Sequence, residues 1–444
     1  MSPTPKKKNV LAHTHRSRKR TRQHALSSSE ANALVKPAKL PENDLIVTDP
    51  PVFIETQNKL DAFLKHIHEC KCVAYDTEFV GELSYFPKLC LIQLVTTEQI
   101  AVVDAMADLD LSGVWEVLAD PDIDVVVHAG QQDLEPVVRL GGKAPSNIFD
   151  VQIAAAFVGQ GYPVSLARLV ERFCKYKLPK SLTFTHWDER PLSDVHIEYA
   201  ANDVRFLLLL RQKLCKKLDE AGHMDWARQE MMRLEEMGNY QFNPKTAYQR
   251  IRKSRSMGPR SLTVLRALVA VRDAAAREHD LPPRTLLKDE VLLALSRTPR
   301  NSIPELKQVQ GLPRPLAEAY GQQLIDATQT ALAEPKSSWP SSQEPDLTFE
   351  QRATTDHLWA LIQAWCLGSG VAPSLVITRA TTGQAMLAHR RGEGAASALP
   401  KGWRQVFLGQ TISDLLDGSH CMKLTWSKKS LRASLAEHHA DKID

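Results

Sequence analysis

Apolar residues recur along the chain with periods that divide it into a strand-rich first half and a helical second half. A short apolar run at Val52–Thr56 reads as a strand, and Leu60, Phe63, Leu64 and Ile67 then recur at helical spacing across 57–69. Three strand-like runs follow in quick succession: Cys72–Phe79, Leu89–Val95 and Ile100–Asp104. Their short connections favour antiparallel neighbours. The order then becomes helix (Gly113–Ala119), buried-looking strand (Val125–Ala129) and a helix from about Gln131, which Asp133 enters within its first turn. A meander continued by βαβ units predicts a mixed sheet flanked by helices, an α/β fold.

Beyond Val195 the pattern is helical, with no strand expected before about residue 371. Within 246–334, helix-period stretches run over Leu262–Glu278, Lys288–Leu295, Ile303–Gln308 and Leu316–Leu332, punctuated by Pro282-Pro283 and Gly311-Leu312-Pro313. Residues 335–347 have linker composition, and a second helical stretch opens with Leu358, Leu361, Ile362 and Trp365 on one face. The expected organisation is a basic tail (1–45), the α/β domain (46–220), a helical connector (221–245), a helical domain (246–334), a linker (335–347), a second helical domain (348–428) and a C-terminal tail (429–444).

Composition narrows the class. At 444 residues several domains are expected, and 43% apolar with 24% charged residues is a soluble globular balance. No apolar run reaches the ~18 residues of a membrane helix, and no secretory leader is legible. The seven scattered cysteines are an odd number, which suits reduced thiols and a cytoplasmic location better than a disulfide framework. The net charge of +4 conceals an asymmetry: Lys6, Lys7, Lys8, Arg16, Arg18, Lys19, Arg20 and Arg22 all precede the first acid, Glu30. Without an apolar period, this tail is expected to be disordered and able to follow a phosphate backbone by charge alone.

Three local patterns carry chemistry. In Val73-Ala-Tyr-Asp76-Thr-Glu78-Phe79, strand alternation sends Asp76 and Glu78 to the same face. Two acids side by side at a buried strand end repel each other, a conflict that a hard divalent ion such as Mg²⁺ or Mn²⁺ resolves. In Val125-Val-Val-His-Ala-Gly130-Gln-Gln-Asp133, a strand ends in a glycine turn and presents Asp133 where ligands gather in open α/β sheets. In Glu198-Tyr199-Ala-Ala-Asn-Asp203, Tyr199 and Asp203 lie four apart, on one helix face. Taken singly, each has an ordinary explanation: a solvated acid pair, an acid at a helix start, an amphipathic helix.

Together, in order and placement, they resemble the tyrosine subclass of the DEDD exonucleases, and specifically ribonuclease D. The similarity extends to Tyr85-Phe-Pro-Lys-Leu-Cys-Leu-Ile-Gln-Leu94, Phe149-Asp-Val-Gln-Ile153, Leu178-Pro-Lys-Ser181, Trp187 and Arg190-Pro-Leu192. The histidine subclass would place His where Glu198 stands. Residues 246–334 resemble the HRDC module that follows the nuclease in that family, and 348–428 resemble a second one more weakly. The resemblance implies a ribonuclease H-like fold and 3′→5′ exoribonuclease activity releasing nucleoside 5′-monophosphates. It also implies two ions, Mg²⁺ or Mn²⁺. Asp76 would bridge them, Glu78 and Asp203 would complete one site, Asp133 would hold the other, and Tyr199 would orient the attacking water.

RNA with an accessible 3′ end is the implied substrate, including tRNA precursors, and a monomer without an obligate protein partner or membrane is expected. The exposed-looking cations Arg250, Arg252, Lys253, Arg255 and Arg260 offer a phosphate-binding cluster at the start of the helical domain. The competing readings are a DNA exonuclease on the same plan, a non-catalytic RNA-binding protein and a helicase accessory module. Four retained acids weigh against the second, and the lack of a Gly-x-x-x-x-Gly-Lys-Ser/Thr loop weighs against the third.

Overall fold

The computed structural model describes residues 39–81, 84–179, 186–341, 347–426 and 431–437. The basic tail through residue 38, part of the linker, part of the Leu178–Ser181 motif and the C-terminal segments 427–430 and 438–444 lie outside the described residues. The first half forms a six-stranded sheet of order β1-β4-β3-β2-β5-β6. Its strands are β1 (Val52–Ile54), β2 (Cys72–Val80), β3 (Lys88–Val95), β4 (Ile100–Asp104), β5 (Asp124–Val127) and β6 (Ile148–Asp150). β2, β3 and β4 form an antiparallel meander, whereas β1, β5 and β6 add in parallel. The sheet is mixed, as the sequence predicts.

Register assigns the faces. Asp76 pairs with Gln93, which pairs with Val102; Glu78 pairs with Leu91, which pairs with Asp104. Directly opposed residues share a face, so two rows, Asp76–Gln93–Val102 and Glu78–Leu91–Asp104, cross the three strands on one side. The Asp194–Arg205 helix packs against β2, β3 and β4, and the Leu207–Ala221 helix against β2 and β5. The Gln57–Cys70 helix lies on β2 and packs on the Ser112–Ala119 helix. β3 and β4 are buried on both faces, which explains their unbroken apolar runs.

The second half divides unevenly. Residues 248–325 build a separate core around the long helices Pro259–Glu278 and Arg314–Ala333. Residues 347–412 instead bury their apolar faces in the same continuous core as the α/β sheet. Their helices Phe349–Gly368, Pro373–Val376, Arg379–Arg390 and Trp403–Leu416 repeat the long-short-medium order of the preceding domain. The join runs through the connector helix Met224–Met231. Glu230, 6% exposed, accepts from the Arg404 guanidinium at 2.6 Å and from the Trp403 indole at 3.1 Å. Trp226 stacks on Trp403 with centroids 6.1 Å apart, and Phe157 meets the same ring edge-on.

Three expectations need correction. Asp133 is not within a helix that starts near Gln131: residues 130–134 are turns, and the helix is Glu135–Arg139, opening with Pro136. No strand forms near residue 371, where a proline starts the short helix Pro373–Val376. The second helical domain ends in an antiparallel strand pair, β7 (His420–Trp426) with β8 (Leu431–Glu437), so strands lie on both sides of the expected helix-to-tail boundary at 428. β8 packs so closely on the Phe349–Gly368 helix that a Cβ at Gly368 would meet the Ala433 nitrogen at 2.6 Å. Half-burial of one ribbon face hides it from a search for long apolar strands.

Candidate active site

The site forms where β2 outruns β5. β5 pairs with β2 only through Cys72, Val73 and Ala74, which leaves the next β2 residues with an open edge. The turn after β5 fills that edge and brings Asp133 against β2. The Tyr75 hydroxyl donates to the Asp133 carbonyl at 2.7 Å, and the Thr77 hydroxyl donates to the Asp133 carboxylate. Asp76 and Glu78 leave β2 on the opposite side from Tyr75 and Thr77, and Asp203 faces them from the Asp194–Arg205 helix. The four carboxyl groups therefore act on one another: Asp133, Asp203 and Glu78 all raise Asp76, and Asp203 and Asp133 raise Glu78.

Burial is the larger cause, repulsion the second. Desolvation first and the neighbouring acids second push Asp76 well above the usual carboxylate range and Glu78 up to about 8. Asp203 rises to about 7, by desolvation and then by Asp133. Asp133 rises to about 6 by burial, against the Thr77 hydrogen bond that favours its ionised form. All four nevertheless keep a partly open surface. Among the described residues, no lysine or arginine forms an ion pair with any of them.

Such a set of oxygen donors fits a hard divalent ion, which relieves repulsion that protonation otherwise has to relieve. Among the described residues, no three His, Cys, Asp or Glu side chains form a ready-made cage. Magnesium sites commonly draw only part of their ligands from protein and the rest from water and substrate phosphate, so an open arrangement of acids is compatible with that ion.

Supporting residues fix the site. The Asp150 carboxylate, 2% exposed, accepts from the backbone N–H groups of Ala129 and Gly130, each at 3.1 Å, and from Gln152 at 2.8 Å. It thereby locks the turn that carries Asp133. Ala129 adopts a left-handed φ of 56°, and a Cβ at Gly130 would meet Val127 at 2.6 Å, so glycine is required there. Across the sheet, Arg190 grips Asp104 with two nitrogens, at 2.5 and 2.7 Å, and donates to the Trp187 carbonyl at 2.7 Å. Trp187 is thus held over the Glu78–Leu91–Asp104 row. Its indole acts on Glu78 in favour of the ionised carboxylate, and its ring stacks on Tyr199 with centroids 6.1 Å apart and planes at 21°.

Glu198, which stands where the histidine subclass would carry its imidazole, points elsewhere: it accepts at 2.8 Å from Arg205, a guanidinium 1% exposed. His196 bonds the Ser193 hydroxyl at the helix start. Arg250, Arg252, Lys253, Arg255 and Arg260 are all exposed, far along the chain from the acids, on a segment anchored by Tyr248, Ile251 and Met257.

Thr77, Asp104, Asp150 and Arg190 escape a reading of the sequence for chemistry. Thr77 is discarded by the same alternation that unites Asp76 and Glu78, and Asp104 and Arg190 meet only in the folded chain. Asp150 has a legible signal, an acid between a strand and a helix start, but capping alone accounts for it.

Known proteins share this architecture. Residues 51–219 match the model of the 3′-5′ exonuclease family, and residues 261–328 match that of the HRDC domain. The chain is 33% identical over 371 residues to a ribonuclease D of Gluconacetobacter diazotrophicus, covering 83% of this chain and 93% of that one. It is 33% identical over 370 residues to a ribonuclease D of Sphingobium indicum, covering 82% and 94%. Among solved structures it is similar to Escherichia coli RNase D, described as an exoribonuclease involved in structured RNA processing. That match has a TM-score of 0.68 and 27% identity, over 83% of this chain and 99% of that one. Sequence similarity along most of the chain, together with its matches to the 3′-5′ exonuclease and HRDC families, places this protein in the ribonuclease D family of 3′→5′ exoribonucleases.

Proposed function

We propose that the protein trims single-stranded RNA 3′ ends one nucleotide at a time, releasing nucleoside 5′-monophosphates, with precursors of tRNA and other structured RNAs as substrates. The observation that carries this reading is the mutual approach of Asp76, Glu78, Asp133 and Asp203 at the open edge of β2, beside Tyr199. Those four carboxylates would hold two Mg²⁺ or Mn²⁺ ions. When bound, such ions lower the pKa of water and stabilise charge on the leaving 3′ oxygen.

The chain's own part is positioning. Trp187 holds the Tyr199 ring by stacking, and its indole favours the ionised form of Glu78, so one side chain serves both the phenol and the acid. Tyr199 orients the attacking water through its hydroxyl; an ordinary phenol, with a pKa near ~10, is a poor base at neutral pH. Thr77 and Asp150 set Asp133 from two sides. The exposed cations between Arg250 and Arg260 contact the phosphates of the RNA body upstream of the 3′ end.

Matched RNA and DNA oligonucleotides with single-stranded 3′ overhangs, incubated with Mg²⁺, Mn²⁺ or chelator, test the reading. The expected outcome is metal-dependent shortening of RNA with release of mononucleotides. Equal or faster degradation of DNA would favour a DNA exonuclease, because only RNA offers a 2′-hydroxyl to recognise. Binding without degradation would leave an RNA-binding protein.

A further inference from the structure

Gln93 sits in the middle of β3 and is fully buried. Neither its Oε1 nor its Nε2 meets a hydrogen-bond partner. Buried amides are nearly always bonded, since an unpaired one loses its hydration with no return. Of the described side chains with an idle buried polar atom, Gln93 has both its donor and its acceptor unused; Arg211, Arg300 and Trp365 each have a single idle nitrogen. A residue that served only to fill the core between Ile92 and Leu94 would be apolar.

Its position is specific. Gln93 is the cross-strand partner of Asp76. Directly opposed residues share a face with their Cβ atoms about 5 Å apart, so the amide and the acid lie side by side. Both are under the helix that carries Tyr199 and Asp203, which packs on β2 and β3. The other row neighbour, Val102, has no polar side chain to offer the amide.

We infer that Gln93 is a positioning residue for Asp76: its Nε2 donates to the Asp76 carboxylate when that acid is ionised against a divalent cation, and fixes the rotamer in which it ligates. Partners of metal ligands act this way, and their loss typically weakens metal affinity about 10- to 100-fold. The fold carries an unsatisfied amide, and the benefit appears only when the site is loaded. This inference rests on the proposed function, which makes Asp76 a metal ligand.

The test uses the full chain with Gln93→Met, a change close in volume that removes both hydrogen-bonding groups. Mn²⁺ is titrated calorimetrically without RNA, beside wild type and Asp76→Asn. The expected result is a Mn²⁺ affinity lowered about 10- to 100-fold. A melting temperature in chelator no lower than wild type, and RNA cleavage restored within a few-fold at saturating Mn²⁺, are expected with it. Wild-type Mn²⁺ affinity in Q93M, beside an Asp76→Asn protein that has lost the ion, overturns the inference alone. A Q93M protein that melts lower with unchanged affinity, or fails to fold, assigns the amide to the fold and also overturns it. If Asp76→Asn binds Mn²⁺ as wild type does, the metal-ligand reading of the site itself fails.

Discussion

Loading the acidic site with a divalent ion is expected to expel protons. Burial and mutual repulsion hold Glu78 at about 8, Asp203 at about 7 and Asp133 at about 6, with Asp76 also raised. Carboxylates ligate hard cations only when ionised. At pH 7 Glu78 is then largely protonated and Asp203 about half so, and binding displaces at least about one proton. Metal affinity should rise by about tenfold or more per pH unit between roughly 6 and 8. Calorimetry with Mn²⁺ in buffers of different ionisation enthalpy reads the proton count directly, and Glu78→Gln should lower it. A binding enthalpy independent of buffer would refute the reasoning.

The same shifts fix the sign of stability against pH. In the unfolded chain these groups titrate near ~4, and in the folded chain between about 6 and 8. The native state therefore binds more protons across that window, and stability in chelator falls as pH rises from about 4 through 8. The slope is at most about 1.4 kcal/mol per pH unit for each group, less for the part of each that solvent screens. Melting in chelator at pH 6 and 8 should give the higher midpoint at pH 6. Saturating Mn²⁺ should shrink or reverse the difference.

Other perturbations separate chemistry from scaffold. Tyr199→Phe should lower kcat about 10- to 100-fold while leaving Mn²⁺ affinity unchanged, because it removes the hydroxyl proposed to orient the water and keeps the ring that stacks on Trp187; kcat against metal titration checks both halves. Asp150→Ala strands the Ala129 and Gly130 N–H groups and should cost about 1–3 kcal/mol, read by denaturant melts, together with weakened metal binding through Asp133. Glu230→Ala leaves the Arg404 guanidinium buried and unpaired and should cost about 3–5 kcal/mol in the same assay. Tyr85 joins the nuclease to the HRDC domain, donating to Asp273 at 2.5 Å beneath the Arg277 guanidinium. Tyr85→Ala should increase protease cutting between the two domains with little change in the cleavage of a short oligonucleotide.

Five of the six strands of the first half were legible, β3 and β4 most plainly because they are buried on both faces; β6, only three residues long (Ile148–Asp150), was not. The acids were legible only as a set, since each alone looks like a solvated charge. Their supports were not: Thr77 reaches Asp133 because β5 ends early, a fact of sheet topology rather than of pattern. Local pattern also did not show that the second helical domain shares the nuclease core, since that depends on Trp403 and Arg404 meeting Trp226 and Glu230 across the chain. The strand pair His420–Trp426 and Leu431–Glu437 was hidden by the half-burial of its inner face.

The central claim is that Asp76, joined by three other acids, makes the chain a metal-dependent RNA 3′-end hydrolase. A time course on 5′-labelled RNA with wild type and Asp76→Asn, matched for folding by circular dichroism and melting, tests it most directly. Stepwise shortening from the 3′ end by wild type in Mg²⁺ or Mn²⁺ is predicted, with none in chelator and a loss of at least about 1000-fold in the variant. Purified Asp76→Asn protein that shortens the RNA at the wild-type rate would contradict the account.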